Sequence, residues 1–339
     1  MAIDLNTVWF LLVGALLAGY AVLDGFDLGV GILHLFVDRD EDRRVFINAI
    51  GPVWDGNEVW LVTGGGALFA AFPPVYAGVF SGFYPAMILL LFALIFRAVA
   101  IEFRSKQPML WWRRAWDVSF SVASFLGSFL MGVAFGNVIR GIRLDAGGEY
   151  IGGFIALLNP YALLTGLTTV ALFAMHGAIY LVLKTEGGIQ ATVRGWVNNA
   201  IIVFVICYAA TTMATLLYLP HMGQAFKASP WLFALPVATM LAIANVPREI
   251  FRGREWRAFL SSCATVFGLM ALVGFGMFPD LVRGMDPSTS LSVYNAASSP
   301  GTLKTMLVIA GIGIPLVLAY TVSIYWIFRG KVKLDAMSY

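Results

Sequence analysis

Four carboxylates stand where a lipid-facing chain should carry none. Asp24 and Asp27 lie in one apolar run as Asp24-Gly-Phe-Asp27-Leu-Gly, and Asp55 and Glu58 lie in the next as Trp54-Asp55-Gly56-Asn57-Glu58. Each pair is spaced i, i+3, so on a helix each shares one face. Asp55 follows Ile47 by about eight residues, which puts it roughly 12 Å into the apolar zone at 1.5 Å per residue. An ionised carboxylate at that depth costs at least ~2.5 kcal/mol on insertion scales, so it must be paired, protonated or hydrated. Arg97, in the third run, is the natural counter-ion. Asp117 opens the fourth run and continues as Asp117–Ser121–Ser124–Ser128, a polar stripe at helical spacing. Hydrogen-bonding glue between helices is usually Ser, Thr or Asn. Four buried acids with one arginine exceed what glue requires, and the set reads as proton or cation handling. Burial and a nearby arginine pull a carboxylate's proton affinity in opposite directions, a combination suited to a relay. On this reading Asp55 is the relay residue on the cytoplasmic side, helped by Asp24, Glu58 and Asp117 and tuned by Arg97. Asp27, nearer the water interface, caps or anchors.

The elements that must hold these residues are membrane helices. The chain has 339 residues, 60% hydrophobic and 12% charged, with a mean hydropathy of +0.82. A soluble domain of this length would carry about twice that charged fraction, so a large soluble core is excluded. The apolar residues come in runs of the length that crosses a bilayer. Candidate spans are Val8–Phe36, Ile47–Phe72, Val75–Ile101, Val118–Ile139, Pro160–Leu183, Val197–Leu219, Trp231–Val246, Ala258–Phe278 and Leu303–Phe328, about nine in all. The seventh is the weakest, being short and carrying Pro236. β-Barrel alternation is absent, so backbone satisfaction in lipid requires helices.

Charge parity supports an odd count. Connections on one side, including Arg39, Arg43, Arg44, Arg104 and the tail, hold sixteen basic residues; the other side holds five: Arg140, Arg143, Lys227, Arg283 and Lys304. The positive-inside rule then places the N-terminus outside and the C-terminus in the cytoplasm. The net charge of +3 is small and dispersed, with no suggestion of nucleic-acid binding. Cys207 and Cys263 each sit in an apolar run, which argues against disulfides and thiolate metal sites. No cleavable signal pattern opens the chain, so the first run reads as a retained helix. Gly78/Gly82 and Gly132/Gly136 are spaced for close helix packing, and Gly64-Gly65-Gly66, in mid-span, reads as packing too. His176 is well inside a span and reads as a hydrogen-bonded packing residue; His34 and His221 lie near span ends. No metal site is expected.

Several blocks, taken together, carry a resemblance. Asp24-Gly-Phe-Asp-Leu-Gly-Val-Gly31, Trp54-Asp-Gly-Asn-Glu-Val-Trp60 and Leu-Val-Thr-Gly-Gly-Gly-Ala-Leu-Phe-Ala70 resemble the signature of subunit II of the cytochrome bd quinol oxidases. Phe80-Ser-Gly-Phe-Tyr84, Phe96-Arg-Ala-Val99, Arg104-Ser-Lys106, His176-Gly-Ala-Ile-Tyr-Leu181 with Lys184-Thr185, and Tyr294-Asn-Ala-Ala-Ser-Ser299 with Gly301-Thr-Leu-Lys304 agree, in order along essentially the whole chain. The resemblance implies two four-helix bundles plus one peripheral helix: a first bundle over 1–139, a second over 140–279, and an external loop, ninth helix and cytoplasmic tail over 280–339. It implies a multi-pass protein of the bacterial cytoplasmic membrane, paired with a subunit I that holds the quinol site and haems b and d. That complex oxidises quinol at the outer face and reduces dioxygen to water with cytoplasmic protons. No haem ligand is expected in this chain. A structural quinone and a small accessory subunit occur within the range the family allows, and the family's proton path points to Asp55. The cyanide-insensitive branch stays open.

Two other classes remain in view. A proton-coupled transporter often shows inverted repeats with matched broken helices, whereas these acids crowd into the first two spans. A purely structural membrane partner would need the acids for assembly alone.

Overall fold

The computed structural model describes residues 4–334 and residue 338. Its helices are α1 (Leu5–Leu33), α2 (Asp40–Ile50), α3 (Trp54–Ala71), α4 (Pro73–Gly82), α5 (Tyr84–Phe103), α6 (Leu110–Arg140), α7 (Pro160–Lys184), α8 (Gly187–Tyr218), α9 (Gln224–Ala228), α10 (Ala234–Phe251), α11 (Glu255–Met277) and α12 (Pro300–Ile327). Two short strands, β1 (Asp280–Val282) and β2 (Leu291–Ser292), pair antiparallel in the loop before α12. Side-chain caps set several starts: Asp4 Oδ1 accepts from the Thr7 amide at 2.7 Å, and Asn159 and Ser299 do the same for α7 and α12, each followed by proline at the first helical position.

Among the described residues, eight helices are long and apolar enough to cross a membrane: α1, α5, α6, α7, α8, α10, α11 and α12. The run expected as the second span, Ile47–Phe72, is not one helix. Gly51-Pro52-Val53 interrupts it: Pro52 has no amide hydrogen with which to continue the helical ladder, and the backbone leaves the helical region at Val53, φ −127°. The part before the break, α2, is amphipathic, with Phe46, Ile47, Ala49 and Ile50 buried and three acids in its first turn. The part after it, α3, has 18 residues, about 27 Å of helix, but opens on Asp55, Asn57 and Glu58. It runs antiparallel to α1, with Trp60 against Gly19 and Leu17 against Gly64. The third expected span, Val75–Ile101, is likewise divided at Phe83 into α4 and α5, two residues before Pro85. Gly78 and Gly82 accordingly pack against Gly148 and Tyr150 of a loop, not against another long helix.

Two other bounds move. The fourth span opens at Leu110, not Val118, so Asp117 lies two turns inside α6. The seventh is longer than expected: Pro236 falls in the first turn of α10, where a missing amide hydrogen costs nothing, and the interior proline is Pro247.

The packing centres on α1, which touches α3, α6, α7 and α11. At the α1–α7 crossing the backbones meet: a Cβ on Gly29 would lie 1.9 Å from the Phe173 carbonyl oxygen, and one on Gly177 would lie 2.4 Å from the Gly29 carbonyl carbon. Gly132 and Gly136 let α6 approach Gly166 and Ala162 of α7 in the same manner. The core around this crossing stacks Phe26 on Tyr180, ring centroids 4.0 Å apart, with His176 and Phe259 edge-on to Phe26. Helices α7, α8, α10 and α11 pack among themselves. The outermost helix, α12, leans on α1 and α3; the Trp9 indole donates to the Leu303 carbonyl at 3.0 Å. Beyond α12 the chain folds back, with the Val332 amide donating to the Lys184 carbonyl and Lys331 Nζ 2.6 Å from Glu255 Oε2.

Candidate functional site

Two buried ionic clusters lie along α1, α5 and α6. In the inner one Arg97 of α5, fully buried, grips Asp24 of α1 with both terminal nitrogens, Nη2 to Oδ1 at 2.5 Å and Nη1 to Oδ2 at 2.8 Å. Nη1 also donates to Glu58 Oε1 of α3 at 2.9 Å. Asp27 stands 4.0 Å from Nη2 and is itself fully buried. Its Oδ2 accepts from Asn57 Nδ2 at 2.7 Å, while Oδ1 has no hydrogen-bond partner among the described residues. Asn57 is completed by α12: the Tyr325 hydroxyl donates to Asn57 Oδ1 at 3.0 Å. Three carboxylates thus surround one guanidinium.

The outer cluster centres on Asp117 of α6, 1% exposed. Oδ1 is 2.6 Å from His34 Nε2 and 2.5 Å from Arg104 Nε, and Oδ2 accepts from Arg43 Nη1 at 3.0 Å. Arg104 reaches on to Asp40 Oδ1 at 2.7 Å, and Arg113 holds the other oxygen of Asp40 at 2.9 Å. Asp40 and Arg113 are partly exposed, so this cluster runs from solvent inward.

The helix pitch sets both clusters. Arg97 of α5 and Arg104, the residue just after it, are seven residues apart, as are Asp27 of α1 and His34, the residue just after it, which is two turns or about 10 Å. Between them runs the serine stripe of α6. Ser124 and Ser128 are buried and donate to carbonyls one turn back, Phe120 and Ser124, at 2.7 Å, and Ser121 reaches the Ile32 carbonyl of α1 at 3.4 Å. Gly31 of α1 makes room for Ser124: a Cβ there would sit 2.0 Å from its hydroxyl oxygen.

The sequence-derived set is therefore brought together only in part. Asp24, Glu58 and Arg97 meet directly, and Asp117 lies in the second cluster. Asp27 is corrected from an interfacial cap to a buried member, because α1 continues helical to Leu33 and keeps it inside the bundle. Asp55 is corrected the other way. It is exposed in the first turn of α3, on the face turned from α1. Val59, Val62 and Phe69 continue that face at 51%, 74% and 59% exposure, and among the described residues nothing lies within 4 Å of a Cβ built on Gly66. His34, Arg43 and Arg104 were missed as members of the site. The two arginines read as loop charges, yet an Asp at the mouth of an apolar run needs cations near it. The repeated seven-residue spacing was the available signal.

Each of the three histidines has at least one ring nitrogen engaged within the chain. Both His176 nitrogens are occupied, Nδ1 with Ser262 Oγ at 2.7 Å and Nε2 with the Val22 carbonyl at 2.9 Å. His34 is sealed between Phe46 and Phe120 with Nε2 on Asp117, and His221 Nε2 meets the Ile139 carbonyl. Among the described residues no three His, Cys, Asp or Glu side chains converge as metal ligands.

Comparison with known proteins places the chain. Residues 5–328 match the family described as cytochrome bd terminal oxidase subunit II. The chain is 36% identical to the cytochrome bd-I ubiquinol oxidase subunit 2 of Escherichia coli K12, with 97% of this chain and 95% of the relative covered. It is 33% identical to the cytochrome bd ubiquinol oxidase subunit 2 of Bacillus subtilis, with 97% of each covered. Its fold superposes on a chain of the bd oxidase of Geobacillus thermodenitrificans with a TM-score of 0.75 at 15% identity, covering 96% of this chain and 98% of the other. These full-length matches identify the chain as a member of the cytochrome bd terminal oxidase subunit II family.

Proposed function

We propose that this chain, as the second subunit of a membrane quinol oxidase, conducts protons from the cytoplasmic face toward a haem-bearing subunit I, where quinol oxidation and dioxygen reduction take place. The observation that carries the reading is the inner cluster of three carboxylates on one arginine. If all ionised, it would hold a net charge of −2 in a buried site. Desolvation makes that expensive, so the cluster is best held with a proton, and a proton that is held can be passed. Asp24 is locked in a bidentate pair with Arg97, and Glu58 takes a further bond from the same guanidinium. Asp27, with one oxygen unpartnered, is the carboxyl free to exchange.

The route enters at Asp40 and Asp117, where guanidiniums and His34 gather the charge, and follows the serine hydroxyls of α6 to Asp27. Asp24 and Arg97 tune the cluster, and Glu58 passes the proton to Asp55, one helical turn away on the open face of α3. A carboxylate on that face would be costly in lipid. Subunit I covers it, so Asp55 delivers at the subunit boundary. Haems b and d and the quinol site belong to subunit I, with nine crossings in this chain, α3 being the ninth. The two four-helix bundles divide near 139, and α12 with the tail forms the third part, in the bacterial cytoplasmic membrane.

Asp27→Asn keeps the bond from Asn57 and removes the titratable group, and Asp27→Glu restores it. Oxygen uptake per haem is expected to fall by about tenfold or more in the Asn variant, the scale of a lost proton-transfer group, with partial recovery in Glu and unchanged haem content. Wild-type turnover per haem in Asp27→Asn defeats the relay, and loss of haem in step with activity assigns Asp27 to assembly.

A further inference from the structure

At the bundle end opposite Asp117, α6 finishes on Arg140, and Arg143 follows in the loop. A cavity of about 230 Å³ opens beside them, walled by Ile142, Leu157 and Met285 and bordered by Asn137, Asn159 and Tyr150. Those three polar side chains are already engaged. Asn137 Nδ2 donates to the Val133 and Leu157 carbonyls, Asn159 Nδ2 donates to Asn137 Oδ1, and the Tyr150 hydroxyl donates to the Gly153 carbonyl. Among the carboxylates of the same loops, Asp145 accepts from the Gly147 and Glu149 amides, Asp280 pairs with Arg283, Asp286 accepts from Ser288, and the exposed Glu149 makes no ion pair with either arginine. Neither Arg140 nor Arg143 makes a side-chain hydrogen bond or ion pair among the described residues.

A cation in the last turn of α6 complements the helix dipole, which accounts for Arg140. It does not account for Arg143, which lies beyond the helix, or for a cavity between two free guanidiniums. Two unpaired arginines at one cavity are a phosphate geometry, since the planar fork matches phosphate oxygens. The rim adds a second feature. Ile151 and Ile155 are 65% and 77% exposed, with Phe154 and Leu158 beside them. An ionic floor under an apolar fringe at a membrane end suits a phosphate that carries acyl chains.

We propose that the Arg140–Arg143 cavity binds a phosphate group, presented by an anionic phospholipid whose chains lie over Ile151, Ile155 and Leu158. The site is independent of the proton route. The test uses the complex with subunit I in neutral detergent, following its melting temperature during titration with phosphatidylglycerol, phosphatidylcholine or inorganic phosphate. Phosphatidylglycerol is expected to raise the melting temperature where phosphatidylcholine does not. The double variant Arg140→Gln, Arg143→Gln is expected to weaken the apparent affinity by about tenfold or more per guanidinium, the scale of a charge-assisted hydrogen bond. Ala156→Phe, which fills the cavity and leaves both arginines in place, is expected to abolish the shift, and keeps the test decisive should the Gln variant fail to assemble. Inorganic phosphate alone giving the whole shift, with both variants losing it, upholds the phosphate site and names the free ion as its source. An equal shift with phosphatidylcholine, or a phosphatidylglycerol shift that survives Ala156→Phe, overturns the proposal.

Discussion

Asp55 and Asp27 exchange places between sequence and structure, and the reason is helical phase. In the sequence both are acids in apolar runs, and depth can be counted only from the start of a run. Burial depends on which side of the helix meets a neighbour, and that is set by Gly19 and Gly64, where α3 and α1 pack. Those contacts turn Asn57 inward and Asp55 outward. Arg97 was legible as a counter-ion because a buried cation demands an anion. Asn57 and Tyr325 were not, because nothing in a single sequence says that α12 returns to α3. The outward Asp55 remains testable. Asp55→Asn is expected to assemble with normal haem content and slowed oxygen uptake per haem, with partial recovery in Asp55→Glu. Full activity per haem in Asp55→Asn would remove it from the route.

Among the elements, long apolar helices were readable from length and composition, whereas breaks were not. Pro52 lies in the break after α2 and Pro85 in the first turn of α5, whereas Pro247 and Pro315 are carried inside α10 and α12. The same residue type gives opposite outcomes, so a run's continuity cannot be taken from hydropathy. The α1–α7 crossing is the most constrained contact between elements. Gly29→Val would drive a side chain into the Phe173 carbonyl, which no rotamer change relieves, and the cost should exceed the ~1–3 kcal/mol usual for overpacking. Gly14→Ala on the same helix meets nothing within 4 Å. The yield of assembled complex should collapse for the first and hold for the second. Equal yields would mean that α1 and α7 part without penalty.

For the whole molecule, the expected orientation follows from counting basic residues, and several of those counted are structural. Arg104 is 1% exposed and bound to Asp117, and Lys184 is tied to the Phe328 and Gly330 carbonyls. They still lie at the Asp117 end, so the asymmetry survives their burial. Reporter fusions near each terminus are expected to show the N-terminus outside and the C-terminus in the cytoplasm. Both ends on one side would show that α3 does not cross.

The return of α12 to the beginning of the chain has a consequence for the order of synthesis. Trp9 waits for Leu303, and Asn57 waits for Tyr325, so α1 and α3 are synthesised long before the helix that completes their polar contacts has left the ribosome. Until then Asn57, and through it Asp27, lacks a partner that only the last helix supplies. A nascent chain stalled before α12 would carry an acidic centre in which Asn57 holds Asp27 without the Tyr325 hydroxyl behind it.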